Sequence, residues 1–516
     1  MDRKWWTLIA VCTGVFMLLL DITIVNVALP QIETQFRASL SALQWVIDAY
    51  ALTLAALLLT AGSIADLAGR RRVFATGIVV FTLGSILCGL AQSSLMLSLS
   101  RALQGVGGAI MFATALALLA QAFAPRERGV AFAAFGAVTG VAVAVGPVLG
   151  GAITSGLSWR WIFFVNVPLG VFALVVTLLR VQESRLPGAP RPDVPSFVSF
   201  SLALAGLVFA LIRSQAEGWG SAQVLGSLIA AAVLLAAFVV IELRTREPML
   251  DLGLLRVPTF NGGLVAAWAV SASIFSLLTY LVIYFQDLMG FSAIGAGLRF
   301  LPLTGATFLV AGVAGRLTTK VPVRYLIGAG FAFVAGGLLL MRGLTAADSW
   351  THFLPGFIVA GVGAGMINVP LASTAVGVVP AQRAGMASGI NSTLRQVGIA
   401  TGVAALGTIL TSDIRAGVVS RLARTPVSVQ AHHIAQVIAS GGAAQAITHA
   451  PPQARGLIAA AAKGSYVGAL NSILLIGAGV AIVGMIVALI SIRQRDFHVA
   501  HESGASAAGA EPAMVA

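Results

Sequence analysis

The chain is poor in charge. Only 9% of its 516 residues are Asp, Glu, Lys or Arg, against about 25% in a soluble domain. That scarcity excludes a globular enzyme carrying one anchor. Cysteine is nearly absent. Cys12 and Cys88 both fall in apolar runs, which excludes a disulfide framework. Histidine is sparse, and the spacing of His432, His433 and His449 gives no helical metal motif. No Walker-type phosphate loop and no catalytic triad is found, so neither an ATP-driven pump nor an enzyme is expected, and no cofactor is called for. The net charge of +13 belongs to loops beside a membrane rather than to a nucleic-acid site.

Apolar sequence is what remains: 58% of the chain is hydrophobic and the mean hydropathy is +0.96. Runs of spanning length lie near 5–29, 42–65, 73–92, 95–122, 129–155, 161–180, 196–213, 221–242, 260–286, 296–315, 323–343, 353–378, 385–412 and 466–492. These predict an all-α, polytopic bundle of about fourteen spans. The first run is too long for a cleaved leader and reads as a retained span. With an even number of spans both termini share a side. The short segments on that side hold nineteen Arg and Lys, the opposite short segments five. That asymmetry places both tails in the cytoplasm and the chain in the cytoplasmic membrane. The long outer segment 413–465 has Ala-rich apolar stretches that suit a partly helical hairpin. The small, polar stretch 494–516 reads as a disordered tail.

An internal repeat is visible. Pro125-Arg-Glu-Arg-Gly129 opens the fifth span, and Pro380-Ala-Gln-Arg-Ala-Gly385 opens the thirteenth, 255 residues later. Gly62-Ser-Ile-Ala-Asp66 ends the second span, and Gly315-Arg-Leu-Thr-Thr319 ends the tenth. The implied organisation is a six-helix bundle in 1–181, two inserted spans in 182–258 and a second six-helix bundle in 259–493.

Three charges lie within the first bundle's apolar runs: Asp21, Asp48 and Arg101. An intramembrane charge costs at least ~2.5–3.5 kcal/mol on insertion scales, and typically faces a water-filled path and handles protons, ions or substrate. At 1.5 Å per residue, they sit roughly 13, 9 and 9 Å below the outer ends of their spans. They therefore share one slab. Arg101 stays charged and needs a partner. Desolvation favours a protonated acid and a nearby guanidinium favours the carboxylate. Approach and withdrawal of Arg101 would switch the proton affinity of Asp21. Asn26 and Gln104 are candidates to extend this network. Arg395 and Asp287 either line the path or anchor helices.

Three glycine-rich clusters complete the pattern. In Gly62-Ser-Ile-Ala-Asp66-Leu-Ala-Gly69-Arg70-Arg71-Arg72, Gly69 permits a tight turn, and Asp66 can meet the arginines or a helix N-terminus. The glycines after Arg101 point to close helix packing, because no strand precedes them. In Gly146-Pro147-Val-Leu-Gly150-Gly151, Pro147 removes a helix hydrogen bond and the glycines allow tight packing.

The first of these resembles the loop motif of the major facilitator superfamily. The resemblance implies that Asp66 contacts the opposite half and acts as a conformational latch with Gly62, Gly69, Arg70 and Arg71. The second copy departs from it, with Thr319 and Pro322 replacing the Asp and a Gly. Gly146-Pro147-x-x-Gly150-Gly151 is similar to the motif of the superfamily's antiporter branches. Leu20-Asp-Ile-Thr-Ile-Val-Asn-Val-Ala-Leu-Pro30, Trp159-Arg-Trp-Ile-Phe-Phe-Val-Asn-Val-Pro168 and Asn391-Ser-Thr-Leu-Arg-Gln-Val-Gly398 look like the fourteen-span drug:proton antiporters. That resemblance implies efflux of amphipathic or cationic small molecules across the bilayer in exchange for protons, by a chain working as a monomer. A transporter of one defined metabolite or self-made antibiotic fits the same pattern. A non-transporting scaffold has no evident use for buried charges.

Overall fold

The computed structural model describes residues 2–497 apart from 39, 125–126, 185–192, 246–247, 319, 381–382 and 440–441. Expectations for the tail beyond 497 and for Thr319 lie outside the described residues. So do the side chains of Asn26, Pro147 and Asp287.

Among the described residues the structure is helical throughout. The helices are α1 (Arg3–Phe36), α2 (Leu40–Ala68), α3 (Arg70–Gly89), α4 (Ser94–Ala122), α5 (Arg128–Gly156), α6 (Trp161–Phe164), α7 (Asn166–Arg180), α8 (Val194–Glu217), α9 (Ala222–Arg244) and α10 (Pro258–Val270). Then come α11 (Ser276–Ile283), α12 (Ala293–Arg299), α13 (Leu301–Leu317), α14 (Val323–Leu340), α15 (Leu354–Gly377), α16 (Ala384–Leu422), α17 (Ala431–Ala439), α18 (Ala443–Thr448) and α19 (Pro452–Ser491). Among the described residues, 12 segments are long and apolar enough to cross a bilayer, and two shorter apolar helices, Arg128–Ala142 and Leu301–Leu317, supply the fifth and tenth crossings. This is a multi-pass membrane protein of about fourteen spans. Helices prevail because every backbone polar group must be satisfied without water.

Several spans are broken. Val165 separates α6 from α7, and Phe300 separates α12 from α13. The ninth span is interrupted by π-helical turns at Ser271–Phe275 and Tyr284–Leu288. Such turns often mark functional positions.

Helix packing follows the sequence repeat. α2 packs on α4, α3 on α4, α1 on α5 and α1 on α7; correspondingly, α13 packs on α15, α14 on α15, α10 on α16 and α10 on α19. The seam between the two groups is also reciprocal, with α2 against α16 and α5 against α13. Its closest points are the repeated glycines. A Cβ on Gly62 would collide with the carbonyl of Gly385, and one on Gly129 with the carbonyl of Gly315. Gly62 and Gly315 are repeat partners, as are Gly129 and Gly385. The two crossings are thus copies of one contact, at the face where the chain ends lie (the terminal face). The inserted α8 and α9 pack together, with α8 lying on α2 and α16.

At the opposite, far face, the stretch 413–465 is more helical than its composition suggests. α16 has 39 residues and α19 has 40, or roughly 58 and 60 Å at 1.5 Å per residue. Both outrun the ~30 Å hydrocarbon layer and continue as a paired stalk. Ile414, Val418 and Leu422 recur every fourth residue and share an apolar core with Ile458, Ala461 and Ala462. That stripe carries α16 past the membrane without a break. α17 and α18 close the stalk as a cap.

Substituting Gly62 or Gly129 by Val should overpack the seam, at a cost of about 1–3 kcal/mol. Spin labels on α2 and α16 at the terminal face, measured by pulsed electron resonance, should show a population with longer separations, favoured by roughly 5–150-fold over wild type. Unchanged distance distributions would contradict the assignment.

Candidate functional site

Asp21 lies on α1, facing into the first bundle. Its side chain is 0% exposed and that of Arg101 is 2% exposed. Arg101 Nη1 donates to Asp21 Oδ2 in a short ion pair and to Gln104 Oε1 at 2.7 Å. Gln104 Nε2 donates to Asp21 Oδ1 at 2.8 Å, and Asn166 Nδ2 donates to the same oxygen at 3.2 Å. Ser85 Oγ receives Gln104 Nε2 at 3.2 Å and Asn166 Nδ2 at 3.0 Å, and itself donates to the Phe163 carbonyl at 2.9 Å. Four helices, α1, α3, α4 and α7, therefore converge on one carboxylate. α2 adds the Val46 carbonyl, 3.2 Å from Arg101 Nε, and the Tyr50 ring, 4.2 Å below the guanidinium. Tyr50 Oη and Asn166 Oδ1 are buried without a hydrogen-bond partner.

Depth grouped Asp21 with Arg101, and the structure pairs them; Gln104, expected to extend the network, bonds to both. Depth misplaced Asp48, and the expectation of one three-charge site is corrected. Val46 and Tyr50, one turn apart, face Arg101, whereas Asp48 lies two residues from each and points the other way. Asp48 is half-buried, on the side of α2 where Trp45, one turn before it, meets Arg213 of α8 at 5.2 Å. A second correction concerns water. Asp21 is sealed in the bundle core here, rather than facing a wet path. Sequence reasoning missed Ser85 and Asn166. Asn166 had a signal, an amide two residues before Pro168 in an apolar run.

The Gly146–Gly151 segment of α5 touches this site from behind. A Cβ on Gly146 would collide with Thr23, and one on Gly150 would sit 2.9 Å from Ile24 Cγ1. Gly146 and Gly150 thus seat α5 on α1 within three residues of Asp21. Gly151 is half-buried on an adjacent face of α5.

Asp66 lies at the terminal face, in the Gly62–Gly385 crossing. Its Oδ1 accepts from Arg70 Nε at 2.9 Å and Nη2 at 2.8 Å, and from the Gly385 N–H at 3.0 Å. Oδ2 accepts from the Met386 N–H at 2.9 Å. The carboxylate thereby caps the first turn of α16, where unpaired N–H groups and the helix dipole favour an anion. Gly69 adopts φ 109°, a conformation suited to glycine, to start α3. Glu183, unmarked in the sequence reading, accepts from the N–H groups of Arg71 at 3.1 Å and Arg72 at 3.3 Å. The arginines so serve the terminal face structurally as well as by charge.

The model of the Major Facilitator Superfamily matches residues 11–403. The chain belongs to that superfamily. Its members are transporters, and the helix count, repeat and seam all accord with this one being a multi-pass transporter. It is 37% identical to Multidrug resistance protein Stp of Mycobacterium tuberculosis, over 84% of this chain and 81% of that protein. It is 36% identical to Puromycin resistance protein pur8 of Streptomyces alboniger (79% of this chain, 82% of that protein). With Drug efflux pump JefA of Mycobacterium tuberculosis it shares 34% identity (82% and 83%). The human organic anion transporter MFSD10 has the same fold at a TM-score of 0.62 and 14% identity, covering 95% of this chain and all of that one.

Breaking one side of the buried pair should be costly. Arg101→Met leaves Asp21 stranded and is expected to destabilise by about 3–5 kcal/mol, whereas Asp21→Asn with Arg101→Met should recover part of that loss. Thermal unfolding of the purified single and double variants checks this; strictly additive losses would contradict it.

Proposed function

We propose that this transporter exports amphipathic organic compounds across the cytoplasmic membrane in exchange for protons, its two bundles rocking about the seam. One observation carries the reading: a sealed carboxylate, Asp21, held by Arg101, Gln104 and Asn166 on a helix that α5 grips through Gly146 and Gly150. α5 also packs against α12, α13 and α15 of the other bundle. A shift at the seam therefore reaches α1 through α5.

The coupling step is a change of partner. While Arg101 is close, its guanidinium pairs with the Asp21 side chain. When α1 shifts on α4, Arg101 keeps the Val46 carbonyl and the Tyr50 ring, and Asp21 accepts a proton. A neutral acid needs an acceptor for its O–H, and the free Oδ1 of Asn166 supplies one within the same amide. The Asp66 cap on α16 acts as the latch of the terminal face, which we assign to the cytoplasm from the arginine asymmetry.

The relatives' names support export of drugs, and pur8, named for puromycin alone, supports a second reading in which one compound is exported by the same device.

The test uses proteoliposomes with an internal pH dye. Wild type should show drug-evoked proton movement in the direction opposite to drug flux. Asp21→Asn should abolish it, by at least about ten-fold, in protein whose folding is checked by thermal unfolding, since the substitution also unpairs Arg101. Drug-evoked proton movement at wild-type rate in Asp21→Asn would overturn the proposal.

A further inference from the structure

The second bundle holds an intramembrane cation that the coupling device does not use. Arg395 lies on α16, 11 residues from its start, and Asn368 on α15, 9 residues from its end. Those positions are roughly 16 and 13 Å from the terminal face, near mid-depth in a ~30 Å layer. Arg395 is half-buried, and Nη2 donates to Asn368 Oδ1 at 2.9 Å. Among the described residues no carboxylate pairs with it. Arg101, in contrast, is neutralised by Asp21 and shut inside its bundle.

The place of Arg395 is the seam. α16 packs on α10 and α15 of its own bundle and on α2 and α4 of the other. Gly398 and Gly402 of α16 are pressed against the π-helical turn at Ser271–Phe275, and Val397 packs toward Ala55 and Leu204. Arg395, three and seven residues before Gly398 and Gly402, lies on their side of α16, away from Val397. Its guanidinium reaches across to α15 at Asn368. Across the seam, α5 meets α15 at the next residue: a Cβ on Gly136 would lie 3.9 Å from Val369. Beside Gly136, Phe135 stacks on Phe112 of α4, with centroids 6.4 Å apart and both rings half-buried. Phe112 and Phe135 are roughly 15 and 10 Å from the terminal face.

We infer that Arg395 and Asn368, with the Phe112–Phe135 pair on the other side of the Gly136–Val369 contact, form a recognition site for a planar aromatic compound bearing an acidic group, a carboxylate or an ionised phenol. This rests on the reading of the chain as an exporter, and specifies its substrate class. A guanidinium in low dielectric is matched by an anion capable of paired hydrogen bonds. A lipophilic cation gains from the rings but meets like charge at Arg395.

The test compares two dyes on one ring frame, anionic fluorescein and cationic rhodamine 6G, binding to full-length protein in phosphatidylcholine nanodiscs by fluorescence anisotropy. Wild type should bind fluorescein more tightly than rhodamine 6G. Arg395→Gln should raise the fluorescein Kd by about ten-fold or more, and Arg395→Lys should keep the preference. Asn368→Asp, nearly isosteric, sets a carboxylate on Arg395 and should shift the preference toward rhodamine 6G even if the glutamine variant does not fold. Equal or tighter rhodamine binding by wild type, no fluorescein binding, or an unchanged preference in Asn368→Asp overturns the inference. Proton movement in the liposome assay with no Arg395-dependent preference sinks only this site. A preference without proton movement sinks only the antiport.

Discussion

Two opposite charges held away from water set the terms for the first bundle. An unpaired buried carboxylate or guanidinium would cost several kcal/mol, so α1 and α4 must meet at one register, Asp21 to Arg101. The remaining lone pairs and protons then need partners of their own. Gln104 is supplied one turn along α4, Ser85 by α3, and Asn166 by the start of α7, where the sixth span breaks. The bundle's internal registers are thereby fixed around one point, the Asp21 carboxylate.

The seam between bundles is held by different means. Little charge is buried there; backbones cross where glycine removes the side chain, once at Gly62 and Gly385 and again at Gly129 and Gly315. The symmetry of these crossings is not matched by symmetry of charge. Only the first carries an aspartate, Asp66, bonded to the start of α16. The two crossings are thus alike in packing and differ in polar contact.

Much of this was legible in the chain. Spans declare themselves by length and apolarity, and the repeat was visible as Gly62/Gly315 and Gly129/Gly385. The pairing of Asp21 with Arg101 followed from height in the membrane, because a helix converts residue count to distance reliably. Height says nothing of azimuth, which is why Asp48 was grouped wrongly and why Ser85, uncharged and unremarkable, was passed over. Glu183 escaped for another reason: it caps α3 across a gap of more than a hundred residues, and no local pattern marks such a contact. The far-face stretch was read as only partly helical, since its Ala-rich segments look weak until α16 and α19 are seen to support each other.

The continuity of α16 has a mechanical consequence. The same rigid rod begins under the Asp66 carboxylate, passes Arg395 at mid-depth, and ends in the stalk outside the bilayer. Pivoted within the lipid, it works as a pointer: a tilt of about five degrees at the buried end moves the cap by about 2 Å, on the order of the ~28 Å overhang times the angle. An antibody fragment or fluorophore seated on α17 would thus report, or restrain, events at the opposite surface that it never touches.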